Sequence, residues 1–515
     1  MTPAEDSQAS VIAFLENPAT HGGNAVERIS THGAHVFLAG ASAFKLKRAV
    51  KLPFFDFSSP AKRRRMLETE LELNKPWAPD IYHEVRPVCA SPSGGLQFGG
   101  DGQALDWVLV MRRFPQDALL DNIAAAGGLT EAMADDMADM AAAMHRAAPV
   151  VRDPITAAFR RAALDNVDAL RAANLPADLV ARLDRELTFA LDAAAAHLDR
   201  RAAGGFVRHT HGDLHLGNMA LLAGKPTPFD ALEFDPALAT GDTYYDLAFV
   251  LMDLEHRNLR PLANRLLNRY VGLTDDIEGL RALPLFLAVR AAVRAKVAAI
   301  AAEQALDAEP KATAREKALS YATLASEYLN PVKPCLVGVG GLSGTGKSAL
   351  ARALAPTVSQ SPGAIVLRSD VIRKRQCGAT ETTRLPKTAY TAAASTSVYA
   401  QIFVDARRCL AAGASVIADA VFAAPAERRA LEDIATSAAV PFAGVWLDAP
   451  LAIRLARVRY RVGDASDADP AVAQAQERYD LTSLTWSLCD AGGTADQTLE
   501  QARQLVEIRS LPAKP

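Results

Sequence analysis

The sequence predicts an α+β domain of two lobes, followed by an α/β domain with a parallel sheet. Three observations support this fold class. Short strand patterns fill the chain up to about residue 113, and an Ala- and Leu-rich region of helical periodicity follows them. A polar segment at residues 211–218 interrupts the helical region. At residues 335–348 an apolar strand pattern runs directly into a glycine-rich loop.

Composition indicates a globular protein of more than one domain. The 515 residues are enough for two or three domains, and 50% of them are hydrophobic while 22% are charged. A net charge of -3 gives no reason to expect nucleic acid as a partner. The five cysteines lack C-x-x-C spacing, so we expect reduced thiols. With no signal-like amino terminus and no long apolar run, we expect a cytoplasmic protein without membrane contact.

Residues 1–113 predict a small lobe that contains a β-hairpin and a helix. In the second hairpin strand, Lys45 and Lys47 lie on one face and apolar residues on the other. Pro60 opens a helix that carries several glutamates, including Glu70, and an arginine run at 63–65 that we interpret as an exposed face. Taken alone, these patterns also fit a solvated edge strand beside a charged surface helix.

Residues 114–330 predict a helical large lobe. A strand at 106–113 leads into Phe114-Pro115, which suits a hinge between the lobes. In a later apolar helix, Arg290 and Arg294 are four residues apart and therefore share a face. Either they snorkel to water, or they bind an anionic small-molecule partner.

The polar segment 211–218, His-Gly-Asp-Leu-His-Leu-Gly-Asn, carries the first candidate chemistry. Asp213 and Asn218 have the spacing at which a carboxylate receives an acceptor hydroxyl's proton and an amide oxygen helps to hold magnesium. A strand, a turn and a second strand would return Asp230 beside Asn218. Glu233 is a rival or additional metal ligand. The alternative is an ordinary turn rich in His, Gly and Asp.

These motifs resemble those of the aminoglycoside phosphotransferase-like kinases. The pattern H-G-D-x-x-x-x-N, then an apolar residue and Asp, then G-D-x-x-x-D-L-A is matched at 211–218, at Asp230 and at 241–248. The resemblance implies a bilobal protein-kinase-like fold that uses ATP and Mg2+. It also implies that Lys45 or Lys47 contacts phosphate and that a helix glutamate such as Glu70 holds the lysine. The sequence departs from many relatives at 230–233, where it reads Asp-Ala-Leu-Glu.

A new domain is predicted at residues 331–515, because two prolines at 331 and 334 end the preceding helix pattern. The following strand enters a complete G-x-x-x-x-G-K-[ST] loop. Its backbone N–H groups would cradle phosphate, its lysine would reach the β- and γ-phosphates, and its serine would bind magnesium. The residues expected to do so are Gly341, Ser343, Gly344, Thr345, Gly346, Lys347 and Ser348.

Two aspartates, Asp370 and Asp419, stand at the ends of later strand patterns, and an arginine-rich segment spans 454–461. This arrangement resembles P-loop kinases of the gluconate-kinase, polynucleotide-kinase and zeta-toxin kind. The resemblance implies that Asp370 faces the acceptor hydroxyl and that Asp419 is the Walker B carboxylate. It also implies that Arg457 or Arg461 covers the phosphates, while the acidic residues 464–469 form a lid tip or simply an exposed loop.

The sequence therefore predicts a bifunctional ATP-dependent phosphotransferase. Each domain would transfer a γ-phosphoryl group to a hydroxyl of a small molecule such as a sugar, an aminoglycoside-like compound or a related metabolite. The alternative is a single small-molecule kinase with a regulatory P-loop module that binds ATP. A third interpretation, drug phosphorylation, depends on the resemblance alone. The patterns specify neither the acceptors nor an oligomeric state.

Overall fold

The computed structural model describes residues 8–31, 33–52, 55–92, 94–233, 239–330, 332–461 and 464–510. The chain divides into two compact units, residues 1–158 with 196–253 and residues 159–195 with 254–515. The predicted domain boundary at 330/331 stays a prediction, and residue 331 is outside the described residues. In the part of the chain that the structure describes, no helix is long and apolar enough to cross a membrane.

The first unit begins with a six-stranded antiparallel sheet in the order β1-β2-β3-β8-β6-β7. The predicted hairpin (β2 and β3) and the predicted helix (α2) are confirmed. Ser59 caps α2 by accepting a hydrogen bond from the Lys62 amide. The elements are α1 Ala9–Glu16, β1 Val26–Ser30, β2 Ala34–Ala39, β3 Ser42–Lys47, β4 Lys51–Leu52, β5 Phe55–Asp56, α2 Pro60–Asn74, β6 Tyr82–Ala90, β7 Leu96–Phe98 and β8 Ala104–Arg112.

The expected exposure of the arginine run in α2 is wrong for Arg63. This side chain is buried, and its guanidinium makes two hydrogen bonds to Asp106 on β8, at 2.9 and 2.8 Å. A buried arginine is tolerated because the carboxylate compensates its charge in a bidentate pair.

Between residues 120 and 256, the residues that the structure describes include helices and two short antiparallel strand pairs. β10 pairs antiparallel with β11, so the strand, turn and strand predicted between Asn218 and Asp230 are confirmed. β12 pairs antiparallel with β9. The elements are α3 Leu120–Ala125, α4 Glu131–Ala147, α5 Thr156–Ala172, α6 Ala177–Ala203, β9 Val207–His209, β10 Met219–Leu222, β11 Lys225–Pro228, β12 Thr240–Asp242 and α7 Thr243–His256.

The second unit contains the predicted parallel sheet, with five strands in the order β14-β15-β13-β16-β17. The glycine-rich loop follows the central strand β13, whose residues are all buried. The elements are β13 Leu336–Gly341, α11 Lys347–Leu354, β14 Ile365–Arg368, α12 Ser369–Gln376, α13 Ala392–Ala411, β15 Val416–Asp419, α14 Pro425–Ser437, β16 Phe442–Asp448, α15 Leu451–Arg459, α16 Pro470–Ala475, β17 Ser487–Asp490 and α17 Ala495–Ser510.

Three further helices of the second unit are α8 Arg260–Thr274, α9 Leu283–Gln304 and α10 Ala308–Leu329. On α8, the Asn268 carboxamide accepts from the Val366 amide at 2.7 Å and donates to the Ala364 carbonyl at 3.1 Å. β14 is an edge strand, and this carboxamide supplies the hydrogen bonds that a neighbouring strand would make.

The two arginines of α9 differ in their environment. Arg290 is buried among the apolar residues of the helix, so it does not snorkel to water as one of our interpretations proposed. The Arg294 guanidinium lies over the ring of Tyr321, 5.9 Å from its centroid. The other interpretation, an anionic partner, stays a prediction.

Candidate active sites

In the first unit, Lys45 of β3 lies between two carboxylates. Its Nζ is 2.6 Å from Glu70 Oε1 and 2.6 Å from Asp230 Oδ1. Glu70 comes from α2 and is fully buried, whereas the Asp230 side chain is 45% exposed. The structure thus brings together the lysine, glutamate and aspartate that the sequence placed at one phosphate site, and it leaves one side of Asp230 open to a ligand.

Charge coupling keeps this lysine and this aspartate ionised. Burial acts to lower the pKa of Lys45, but the carboxylates of Asp230 and Glu70 outweigh it and raise that pKa well above its ordinary value. The partial burial of Asp230 acts to raise its pKa, but Lys45 outweighs this effect and the pKa falls to about 2. Both side chains are therefore charged at neutral pH.

Lys47, the other candidate, contacts different partners. Its Nζ is 2.7 Å from Glu70 Oε2 and forms a very short ion pair with Glu233, and all three side chains are buried. Burial raises the pKa of Glu233 despite the neighbouring lysine. The structure thus places Glu233 against a lysine, and the proposed roles of Lys47 at phosphate and of Glu233 at a metal stay predictions.

Asn218 of the segment 211–218 contacts Asp213 through its side chain and the residue before Asp230 through its backbone. Asn218 Nδ2 donates to Asp213 Oδ2 at 2.8 Å and to the Asp213 carbonyl at 3.0 Å. The Phe229 amide donates to the Asn218 carbonyl at 2.9 Å, which brings the following residue, Asp230, beside Asn218 as predicted. Both hydrogen bonds are donated by Nδ2. They do not involve the side-chain oxygen of Asn218, which is the atom expected to bind a cation.

Asp246 and His145 support this segment, although the sequence patterns predicted no role for either side chain. The Gly212 amide donates to Asp246 Oδ1 at 2.8 Å, while Asp246 Oδ2 is 3.1 Å from His145 Nε2. Gly212 has φ +79°, and a Cβ there would come within 3.1 Å of the Leu232 Cβ. The signal that could have revealed Asp246 was its place in the motif at 241–248.

In the second unit, the glycine-rich loop needs its glycines. Gly341, Gly344 and Gly346 all have positive φ, at 141°, 87° and 93°. A Cβ would lie 2.7 Å from the Leu447 carbonyl oxygen at Gly341, and 2.5 Å from the Arg454 carbonyl oxygen at Gly344. Side chains are therefore excluded where the backbone must curve around a phosphate.

Two other loop residues are fixed by hydrogen bonds, one within the loop and one to a residue 133 positions later in the chain. The Thr345 hydroxyl donates to the Leu342 carbonyl at 2.8 Å, and the Ser343 amide donates to Gln476 Oε1 at 2.6 Å. These bonds hold the loop in its curved conformation before the helix α11 begins.

Lys347 and Ser348 open α11 beneath this loop. The Ser348 hydroxyl donates to Asp419 Oδ2 at 2.5 Å, so the predicted magnesium serine and the predicted Walker B carboxylate are in contact. Lys347 Nζ donates to the Leu342 carbonyl at 3.2 Å, and burial lowers the pKa of Lys347. The carboxylates of Asp419 and Asp370 act in the opposite direction on this pKa, and the contact of Lys347 with phosphate stays a prediction.

A cavity of about 1140 Å³ gathers the remaining predicted residues of this domain. Burial, followed by repulsion from Asp419, raises the pKa of Asp370. Arg457 donates to the Ala491 carbonyl at 2.7 Å, and Arg461 to the Ala468 carbonyl at 3.1 Å. Lining the cavity are Lys347, Ser348, Asp370, Asp419, Arg457 and Arg461.

The donor atoms at both sites fit magnesium. The first site offers Asn218 with Asp230, and the second offers Ser348 with Asp419, all through the oxygen ligands that Mg2+ prefers. Within the ranges described, no group of three or more His, Cys, Asp or Glu residues is arranged to hold a metal. A magnesium ion that is also bound by the phosphates of a nucleotide typically has only one or two protein ligands.

Family comparisons match both parts of the chain. Residues 92–283 match the phosphotransferase enzyme family, and residues 336–480 match a family described as AAA domain. The protein Rv2004c of Mycobacterium tuberculosis is 30% identical over 483 residues, which cover 92% of this chain and 93% of that protein.

Two solved structures are also similar. A choline/ethanolamine kinase family protein from Mesorhizobium loti is 15% identical, with a TM-score of 0.38, and covers 63% of this chain and 99% of its own. A gluconokinase from Sinorhizobium meliloti is 21% identical, with a TM-score of 0.25, and covers 34% of this chain and 95% of its own.

The first family match includes Asp213, Asn218 and Asp230 but begins after Lys45 and Glu70, and the second includes the P-loop with Ser348 and Asp419. The lysine, glutamate and aspartate cluster and the Asp213–Asn218 segment precede the P-loop with its Ser348–Asp419 pair, in the order in which the two families match. The chain belongs to the same family as the mycobacterial protein Rv2004c, and it is an ATP-dependent kinase in which a phosphotransferase-family domain precedes a P-loop kinase domain.

Proposed function

We propose that the protein is a bifunctional phosphotransferase that acts in the cytoplasm, where ATP is available. Each domain transfers the γ-phosphoryl group of ATP to a hydroxyl of a small molecule, a sugar, an aminoglycoside-like compound or a related metabolite. Bound magnesium would neutralise phosphate charge at both sites.

At the first site, Asp213 is the residue that receives the acceptor's proton. Its carboxylate is oriented by Asn218 Nδ2 at 2.8 Å, and its side chain remains 35% exposed, so a hydroxyl can approach it. Lys45 is held by Glu70 and Asp230 in an ionised state and supplies positive charge to the phosphates. Asn218 and Asp230 would hold the magnesium ion.

At the second site, Asp370 is the residue that favours phosphoryl transfer over nucleotide sensing alone. A P-loop that only senses its nucleotide uses the loop, Lys347, Ser348 and a Walker B carboxylate, and it has no need of a further carboxylate. Here Asp370 lines the same cavity as Lys347, and the Lys347 charge acts on the Asp370 carboxylate to lower its pKa, against burial. This juxtaposition is what favours transfer to an acceptor over the regulatory alternative.

The test uses Asp370→Asn in a chain whose first site is silenced by Asp213→Ala. We expect ATP affinity at the second site to stay nearly unchanged while phosphorylation of hydroxylated metabolites, detected by mass shift, is lost. Lys347→Ala should weaken both. If Asp370→Asn transfers phosphate like its parent, Asp370 is not the acceptor carboxylate. If the Asp213→Ala chain itself transfers no phosphate, the regulatory-module alternative gains support.

A further inference from the structure

Gln476 contacts the glycine-rich loop of the second site. It begins the short 3-10 helix Gln476–Arg478, which follows α16 in the chain. Its side-chain Oε1 accepts a hydrogen bond from the Ser343 amide at 2.6 Å. Only 7% of the residue is exposed, and it lines the same cavity as Lys347 and Asp370. A buried side chain is thus fixed to the loop that is expected to cradle phosphate.

This hydrogen bond determines which way the Gln476 carboxamide faces. A backbone N–H can only donate, so the carboxamide oxygen must face Ser343 and the nitrogen must face elsewhere. Among the residues that the structure describes, Nε2 of Gln476 has no hydrogen-bond partner, and this atom is not fully buried. Two N–H donors are therefore accessible on a side chain whose rotation would break its bond to the loop.

Glu477, the next residue, holds the same segment in place. Its carboxylate forms a very short ion pair with the buried Arg454 of α15. Arg454 Nη1 in turn donates to the Ser343 carbonyl at 3.5 Å. The N–H and the carbonyl of Ser343 are thus both contacted by side chains, and those side chains are joined through the neighbours Gln476 and Glu477.

We propose that Gln476 binds the γ-phosphoryl group of ATP at the second site, with Nε2 donating to its oxygens; this rests on the proposed function, which puts ATP in the loop and the acceptor beside Asp370. The γ-phosphoryl group of a kinase lies between the nucleotide-binding loop and the acceptor carboxylate. Gln476 contacts the loop at Ser343 and shares its cavity with Asp370.

This contact would make the second site select ATP over ADP. An amide N–H that donates to an anionic oxygen forms a strengthened, charge-assisted hydrogen bond. ADP lacks the γ-phosphoryl group and would leave Nε2 of Gln476 without that partner. The affinity for ATP would therefore depend on the Gln476 donor, whereas the affinity for ADP would not.

The experiment measures two nucleotides by calorimetry in the full chain. All variants carry Asp230→Asn to weaken the first site, and the heat lost on adding Lys347→Ala identifies binding at the second site. Gln476→Glu keeps an oxygen for the Ser343 amide but removes the donor. We expect it to weaken magnesium–AMP-PNP binding about tenfold or more, as the loss of a hydrogen bond to a charged group does, and to change magnesium–ADP affinity less than about twofold.

Two further variants serve as controls. Gln474→Glu makes the same substitution at an exposed position of α16 that does not line the cavity, and it should change neither affinity. Gln476→Met has a similar length but neither hydrogen-bonding atom. It should weaken both nucleotides, because the loop also loses its contact at Ser343, and it should weaken AMP-PNP more than ADP.

The outcomes separate this inference from the proposed function. If Gln476→Glu weakens both nucleotides equally, weakens ADP more or affects neither, Gln476 only supports the loop and the inference is wrong. The proposed function still stands in that case if the Asp213→Ala chain phosphorylates a metabolite. If Lys347→Ala removes no heat, the second site binds no nucleotide, and the inference and the proposed function fail together.

Discussion

The amide of Gly212 donates a 2.8 Å hydrogen bond to Asp246, a fully buried carboxylate located thirty-four residues later in the chain. The other Asp246 oxygen contacts His145 at 3.1 Å. The segment 211–218 is thus fixed at the residue that precedes Asp213, by a carboxylate to which our proposal gives no contact with ATP or acceptor.

Asp246→Ala should consequently affect both stability and turnover. It leaves the buried Gly212 amide without an acceptor, and such a group costs about 1–3 kcal/mol in the free energy of unfolding. Chemical denaturation and transfer by the first site would measure the two effects. Asp246→Asn, which keeps an oxygen for the Gly212 amide, should lose less of both, and equal losses for the two variants would contradict the hydrogen-bond explanation.

Glu233→Ala tests whether this residue serves Lys47 or a metal. A buried charge left without any partner costs about 3–5 kcal/mol, but Lys47 keeps its ion pair with Glu70 in this variant, so we expect a smaller loss in the free energy of unfolding. The magnesium concentration needed for half-maximal transfer by the first site should stay as in the parent protein. A magnesium requirement that rises several-fold would instead identify Glu233 as a metal ligand. Glu233→Gln, of similar size, serves as the control for cavity formation.

Asn268→Ala tests whether the Asn268 carboxamide stabilises the edge strand β14 through its backbone hydrogen bonds. The variant removes the acceptor for the Val366 amide and one donor to the Ala364 carbonyl, so we expect about 1–3 kcal/mol less stability. Hydrogen exchange should quicken at residues 364–368 and not in β13. Leu273→Ala, at a 41% exposed position of the same helix, should change neither quantity. Unchanged exchange in Asn268→Ala would mean that the strand needs no such cover.

The pH dependence of the second site follows from Asp370. Burial and then Asp419 raise the pKa of this carboxyl above its ordinary value, and a proton acceptor must be ionised. Transfer should therefore decline on acidification at a higher pH than an unperturbed aspartate would produce, and it should recover fully above that range. Rates measured at saturating ATP in the Asp213→Ala chain provide the profile. A rate that does not change down to pH 4 would show that Asp370 is not the proton acceptor.

Sequence reasoning worked where a short stretch of chain determines the geometry. The glycines of 341–346 and the Asp213–Asn218 spacing each belong to one loop, and the strand pair between Asn218 and Asp230 is local too. Their types and spacings predicted the conformations of these segments, whereas their chemistry stays a prediction.

Contacts between segments that are far apart in the chain could not be predicted from local residue types and spacings. Arg63 looked exposed because its partner, Asp106, is forty-three residues away. The Asn268 carboxamide carries no pattern that marks it as the neighbour of a strand almost a hundred residues later. The choice between Lys45 and Lys47 was open for the same reason, since their shared strand face is local but Glu70, Asp230 and Glu233 are not.

The central claim is that one chain carries two working phosphotransfer sites. It is tested most directly by a mass-shift screen of hydroxylated metabolites with the parent protein, Asp213→Ala, Lys347→Ala and the double variant. We predict that each single variant loses a different set of phosphorylated products and that the double variant forms none. If Lys347→Ala forms every product of the parent while Asp213→Ala forms none, only the first site transfers phosphate and the claim is wrong.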